Sequence, residues 1–291
     1  MVEFHRPRRS TREVSCMSIK RTGVGAGFTA LAVTWTTAAL ALPYDYQLGL
    51  QPAASPVMER IADFHELLLY ITGAICFLVL ALLVFIVIRF NRRASPTPSR
   101  TEHNTILEIA WTVIPVIILV VIAVPSFKLL YYEADIPKPD VQIKVIGKQW
   151  FWTYQYPRNG NFQFDSLLLS DDAARKAREP RLLGVDNVVV VPVNKVIEIV
   201  TTGADVIHSW ALPEMGVKMD AIPGHLNYTW FKATRTGTFY GQCSELCGAK
   251  HAFMPIEVKV VTDSDYVKWL AAAKKKYAAI DDRSTTRLAA Q

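Results

Sequence analysis

The chain has 291 residues, 51% of them apolar, and four cysteines. That length suffices for one or two domains with a real core, and so few cysteines exclude a disulfide-rich scaffold. The net charge of +6 does not mark a nucleic-acid binder: residues 1–41 hold six Lys/Arg and two Glu, the remainder is nearly balanced at 26 basic against 24 acidic, and the basic side chains are dispersed.

Residues 1–41 read as a cleaved leader. Arg6, Arg8, Arg9, Arg12, Lys20 and Arg21 precede an apolar small-residue run, and Ala39-Leu40-Ala41 has the small-x-small form of a cleavage site. Met17 opens a more ordinary signal peptide and is an alternative start. Residues 42–66 are expected to be a periplasmic segment. Two uncharged runs follow, "LLLYITGAICFLVLALLVFIVI" at 67–88 and "IAWTVIPVIILVVIAVPSF" at 109–127. A bilayer core needs about 20 apolar residues, so residues 67–88 and 106–130 are predicted to span a membrane. Pro115 and Pro125 are tolerated better there than in a soluble helix. The connecting loop, 89–105, sets Arg89, Arg92, Arg93 and Arg100 against Glu102. By the positive-inside rule it is cytoplasmic, which puts both termini in the periplasm of a bacterial inner membrane.

Residues 131–265 carry strand signals. "VQIKVIGKQWFWTYQY" alternates at Val141, Ile143 and Val145 and then turns aromatic; "NVVVVPV" and "KVIEIVTT" are β-branched runs. "LNYTWFKAT" alternates Leu226, Tyr228 and Trp230, and "PIEVKVV" alternates Ile256, Val258 and Val260. Short strands between Gly, Pro and Asn signals, without a βαβ rhythm, predict a β-sandwich or barrel. Residues 266–291 read as an amphipathic surface helix, with Ser264 as its N-cap, and a tail.

The densest chemistry lies in "GQCSELCGAKHAFMP", residues 241–255. In an oxidising compartment Cys243 and Cys247 suit a disulfide. With His251 and a second histidine they suit tetrahedral zinc, although Met254 then has no role. Thiolate, thioether and imidazole together favour copper. A single blue copper takes one Cys, so this loop has one too many. Two thiolates bridging two coppers would use Cys243, Cys247, His251, Met254 and His208 from "GADVIHSWALP", with a backbone carbonyl as sixth donor. Haem c attachment needs Cys-x-x-Cys-His, which the loop lacks.

The same loop closely resembles the CuA-binding loop of the cytochrome c oxidase subunit II family. The resemblance extends over residues 42–268 through "SPVMERIADFHELLLY", "LEIAWTVIPVIILVVIAVPSFKLLY", "GKQWFWTYQY", "EPRLLGVDNVVVVPV" and "ADVIHSWALPEMGVKMDAIPGHLN", in family order. It implies a two-helix transmembrane hairpin followed by an all-β, cupredoxin-like Greek-key domain. It implies a dinuclear copper CuA centre held by His208, Cys243, Cys247, His251, Met254 and the carbonyl of Glu245. By the same resemblance the Glu245 carboxylate reaches a magnesium ion shared with subunit I, and Trp150 accepts electrons from cytochrome c. Asp205 belongs to the cytochrome c docking surface, and Glu108 marks the mouth of the K proton pathway. The partners implied are subunit I, which carries the haems, the other oxidase subunits, cytochrome c and the membrane. The function implied is electron transfer to haem for oxygen reduction coupled to proton pumping, with no oxidase activity in this chain alone.

Read without the family, several of these residues have ordinary alternatives. Trp150 sits among alternating rings that usually mean core, Glu108 beside an apolar helix is an interfacial carboxylate, and Asp205 is a turn residue. The chain also departs from the family pattern: Lys148 replaces a common histidine, Gln155 a common glutamate and His225 a common arginine. From residue 131 on there are 20 Lys/Arg against 18 Asp/Glu, so composition gives no acidic docking face. A copper carrier would need exchangeable ligands, and a quinol-oxidase subunit would lack the copper ligands.

Overall fold

A computed structural model describes residues 47–97 and 99–277. The expected leader and the end of the tail lie outside the described residues. Two long helices come first, α1 (Pro56–Arg89) and α2 (Thr105–Ala134). Both are long and apolar enough to cross a membrane, and their large apolar side chains point outward. The chain is a membrane protein.

Both helices outrun the uncharged stretches that announced them. Residues 67–88 are the central part of α1, which begins at Pro56, where Ser55 caps it by accepting the Met58 N–H at 3.0 Å and Pro56 occupies the first turn. That first turn is held by the β-domain. Ala54, Val57 and Met58 are buried, the Ala54 N–H donates to the Glu214 carbonyl at 2.8 Å, and the Ser55 hydroxyl donates to the Met215 carbonyl at 2.7 Å. At the other side of the hairpin α2 continues to Ala134, where the Trp230 indole donates to the Glu133 carbonyl at 3.2 Å. Tyr132 meets the Trp230 ring edge-on at 5.6 Å. Hydropathy locates the stretch inside lipid; tertiary contacts decide where the helices end.

The β-domain follows as β1 (Val141–Lys148), β2 (Phe151–Tyr156), β3 (Phe162–Ser166), α3 (Asp171–Ala177), β4 (Val189–Pro192), β5 (Ile197–Gly203) and β6 (His208–Leu212). Then come β7 (Val217–Ala221), β8 (Asn227–Phe231), β9 (Gly237–Cys243), β10 (Pro255–Val261) and α4 (Asp263–Lys276). One sheet runs β3-β2-β1-β5-β8 and the other β4-β10-β9-β6-β7. Most pairs are antiparallel, but β1 pairs with β5 and β10 with β4 in parallel. This is the expected two-sheet, cupredoxin-like sandwich. Its inner faces carry the largest buried side chains, among them Trp152, Tyr154, Tyr156, Trp210, Phe231 and Phe239. Each contributes on the order of 1.5–3 kcal/mol by burial.

Three local expectations change. Leu226 and Tyr228 are about half exposed, whereas Trp230 and Phe231 are buried, so the apolar alternation of that strand does not describe its inner face. α4 starts earlier than expected, capped by Thr262, whose hydroxyl accepts the Asp265 N–H at 3.3 Å; Ser264 instead bonds the Thr262 hydroxyl. Nor does α4 merely lie on the surface: Tyr266 and Ala273 are buried, and Trp269 packs on Tyr156 at 5.3 Å. Finally, α3 went unpredicted; it is short and is ended by Arg178 in the left-handed conformation at φ 60°.

One core position carries a titratable group. Glu257 on β10 is 3% exposed and accepts the Val185 N–H at 3.0 Å. Burial pushes its carboxyl up to about 7 against an ordinary 4.5, aided by Glu179 and opposed by the Val185 bond and Lys259. The folded state holds this proton where the unfolded chain has released it. Its contribution to stability is therefore full below pH 4.5 and is lost as pH rises through 7. Glu257→Gln keeps an acceptor for Val185 and does not titrate, so it is expected to flatten that fall, as measured by urea unfolding of the β-domain between pH 4.5 and 8.

Candidate metal centre

β6 and β9 are adjacent in the second sheet, with Trp210 opposite Cys243. That register brings His208, the first residue of β6, to Cys243, the last of β9. The loop after β9 then folds back so that Cys247 faces the same point, and a single 3-10 turn (His251–Phe253) brings His251 and Met254 around it. The sulfurs of Cys243 and Cys247 stand 3.9 Å apart, far beyond the roughly 2.05 Å of a disulfide. His208 Nδ1 lies 3.9 Å from Cys243 Sγ, and His251 Nδ1 lies 3.6 Å from Cys247 Sγ. Met254 Sδ is 3.5 Å from Cys247 Sγ, and the Glu245 carbonyl accepts from Cys243 Sγ at 3.3 Å. His208, Cys243, Cys247 and Met254 are all buried. All six expected donors thus meet in one cage, each imidazole with its Nδ1 toward a sulfur.

The charge state of the cage points to a cation. Burial raises the Cys243 thiol, but hydrogen bonds to His208 and to backbone at Glu245 and Ser209 outweigh it and bring it down to about 6. Burial and the neighbouring Cys243 charge together push the Cys247 thiol up to about 12. One thiolate therefore opposes a second, and both ionise readily only with positive charge between them. The buried thioether favours one metal over another. Zinc would leave Met254 idle, whereas copper accepts thiolate, imidazole and thioether alike.

Around the donors lies a supporting layer that the sequence did not announce. Asp205 Oδ1 is 2.9 Å from His208 Nε2, which leaves Nδ1 for a metal. Asp205 Oδ2 accepts the Gln149 N–H at 2.7 Å, and the Gln149 side chain donates to the Cys247 carbonyl at 2.8 Å. Gln149 thereby ties the β1–β2 corner to both halves of the cage. Burial raises the Asp205 carboxyl, yet bonds from His208, Gln149 and Val206 lower it below its usual value. The carboxylate expected on a docking surface is thus also the partner of a candidate ligand. Gly147 packs under the His208 ring: a Cβ there would meet Cδ2 at 2.6 Å. The signal for Gln149 was its place beside Trp150; for Gly147 there was none.

Trp150 is half-buried beside the cage, whereas the neighbouring rings Trp152, Tyr154 and Tyr156 are in the core. The Glu245 side chain is exposed. Glu108 is not brought to the cage; it lies in the first turn of α2, at the far end of that helix from the β-domain, and its carboxylate accepts the Asn104 N–H at 3.3 Å. Lys148 reaches the Phe151 ring at 5.2 Å, and Gln155 bonds Gln163 at 2.9 Å.

Comparison with known proteins matches both the membrane-spanning part and the β-domain of the chain. Residues 141–261 match the family model "Cytochrome C oxidase subunit II, periplasmic domain", and residues 43–129 match the corresponding transmembrane-domain model. A probable cytochrome c oxidase subunit 2 of Rickettsia bellii is 49% identical over 242 residues, covering 83% of this chain and 89% of the relative. Cytochrome c oxidase subunit 2 of Cereibacter sphaeroides is 40% identical over 284 residues, 92% of this chain and 93% of the relative. The crystal structure of the periplasmic domain of subunit II (CoxB) of Bradyrhizobium japonicum is 61% identical. It covers 50% of this chain and 100% of that one, with a TM-score of 0.47.

Asp205→Ala removes the partner of His208 and of the Gln149 N–H. It is expected to weaken copper retention by about ten- to a hundredfold, with Asp205→Asn losing less, as read by copper content after graded chelator challenge.

Proposed function

The chain belongs to the cytochrome c oxidase subunit II family and is thus part of a haem-copper oxidase; on that premise we propose that its β-domain is where electrons from cytochrome c enter the complex, bound for haem in subunit I. The observation that carries this reading is the gathering of His208, Cys243, Cys247, His251, Met254 and the Glu245 carbonyl around one buried point. These residues would hold two copper ions as the CuA centre. When bound, the copper pair supplies one-electron redox chemistry. The residues do the rest. Cys243 and Cys247 neutralise the cations, His208 is fixed by Asp205, and the buried thioether of Met254 keeps that side of the cage dry. A cage with every donor position filled leaves no place for substrate, which suits electron transfer rather than catalysis at this point.

Trp150 is the proposed receiving group. Its ring lies against the metal loop, where a Cβ on Gly248 would be 3.1 Å from Cζ2. Glu245 gives its carbonyl to the cage, and its exposed side chain is proposed to reach a magnesium ion shared with subunit I. Glu108 is proposed to stand at a proton pathway where α2 meets subunit I; its capping bond to Asn104 keeps the carboxylate at that helix end. The arginine-rich loop after α1 supports placing that loop in the cytoplasm, and with it both termini in the periplasm of a bacterial inner membrane.

Electron paramagnetic resonance of the copper-loaded chain tests the assignment. One unpaired electron split by two equivalent copper nuclei is expected; a single-copper pattern, or no retained copper, would overturn it. The surroundings of Trp150 make a second prediction. Lys250 lies 5.9 Å over its ring and Lys148 is two residues away in sequence, while Gln155, where the resemblance expects a glutamate, is buried and bonded to Gln163. Docking of a basic cytochrome c is therefore expected to depend weakly on salt, and Lys250→Glu to raise the association rate and steepen its dependence on ionic strength. Stopped-flow reduction across a salt series checks both.

A further inference from the structure

A notch of 240 Å³ opens on the seam between the two membrane helices. Arg60, Asp63, Phe64 and Leu67 line it from α1, and Pro125 and Lys128 from α2. The four α1 residues recur at helical spacing and so share one face. Leu67 opens the uncharged run of α1, and Lys128 directly follows that of α2. The charged groups therefore ring the notch where lipid gives way to headgroups, on the side of the hairpin that carries the β-domain.

Among the described residues these charges are not neutralised by one another. Arg60 and Asp63 have the i,i+3 spacing that ordinarily forms an ion pair. Instead the Arg60 guanidinium lies 3.7 Å from the centre of the Tyr132 ring. Stacked in that way it keeps its N–H groups at the edge of its plane. Among the described residues, none of Arg60, Asp63 and Lys128 makes a salt bridge. Two cations and one carboxylate thus face one cleft whose deeper wall is apolar.

We propose that this notch holds one molecule of phosphatidylethanolamine. Its phosphate takes charge-assisted hydrogen bonds from Arg60 and Lys128. Its primary ammonium donates to Asp63, and its acyl chains follow Phe64 and Leu67 into the bilayer. An anionic glycerol headgroup satisfies the two cations but gives Asp63 no cation. A quaternary ammonium headgroup has no N–H to give that carboxylate. The lipid joins α1 to α2 at the level where both helices leave the membrane for the β-domain.

The test is native mass spectrometry of the intact oxidase complex, released from nanodiscs that contain equal phosphatidylethanolamine and phosphatidylglycerol. The wild-type complex is expected to carry about one phosphatidylethanolamine more than the Arg60→Gln/Lys128→Gln double variant. Asp63→Asn is expected to keep a lipid at the site and lose the preference between headgroups. Arg60→Lys, which keeps the charge, is expected to retain the lipid and so to separate lost binding from lost folding. Equal phosphatidylethanolamine counts in wild type and double variant would overturn the proposal. So would a site filled by phosphatidylglycerol in the wild type.

Discussion

Two buried cysteine sulfurs 3.9 Å apart ionise together only with positive charge between them. The rest of the β-domain is arranged around that requirement. The sulfurs come from the end of a strand and from the loop after it, so one is held by sheet hydrogen bonds and the other by the loop. Imidazoles approach from β6 and from the 3-10 turn. Sheet and loop hydrogen bonds hold these donors from several sides, which suits electron transfer, where little should move when charge changes.

What keeps the donors in place is a chain of ordinary hydrogen bonds that begins in the sheet. The parallel pairing of β1 with β5 runs to Gly147 opposite Gly203, and the Ala204 N–H bonds the Gly147 carbonyl at 2.9 Å. This pairing delivers Gln149 and Asp205 to each other, and Asp205 to His208. Such contacts cost little individually, about 0.5–1.5 kcal/mol each if lost. Their joint effect is positional, because a metal ligand that turns by a few degrees is no longer a good ligand.

How much of this was legible in the sequence depends on range. The membrane runs and the Cys-x3-Cys-x3-His-x2-Met spacing are local patterns, and both can be read directly. His208 could be reached from its place after a β-branched strand. Gln149 as a bridge could not, because its role arises from a parallel pairing between residues 56 apart, and no periodicity records which strands become neighbours. The start of α1 at Pro56 was hidden for a related reason. Hydropathy reports only the part in lipid, whereas that helix end is fixed by Glu214 and Met215, residues far along the chain. Trp150 shows the limit from the other side: the alternation that puts Trp152, Tyr154 and Tyr156 in the core leaves it at the corner between strands, only partly buried.

That corner resolves a conflict between two demands on the site. The donors must be buried to exclude water, yet an electron partner must come close. Here the covering layer is reduced to a glycine. Gly248 has φ +121°, where side chains are strained, and a Cβ would stand 3.0 Å from Gln149 Nε2 and 3.1 Å from the Trp150 ring. Without that atom the indole rests on the loop one residue from Cys247, while its other side faces solvent beside Leu167, Leu168, Lys250 and Phe253. A larger residue at 248 would push the ring away and break the bond from Gln149 to the Cys247 carbonyl together. The thinness of the wall and the fixing of the cage thus depend on the same missing side chain.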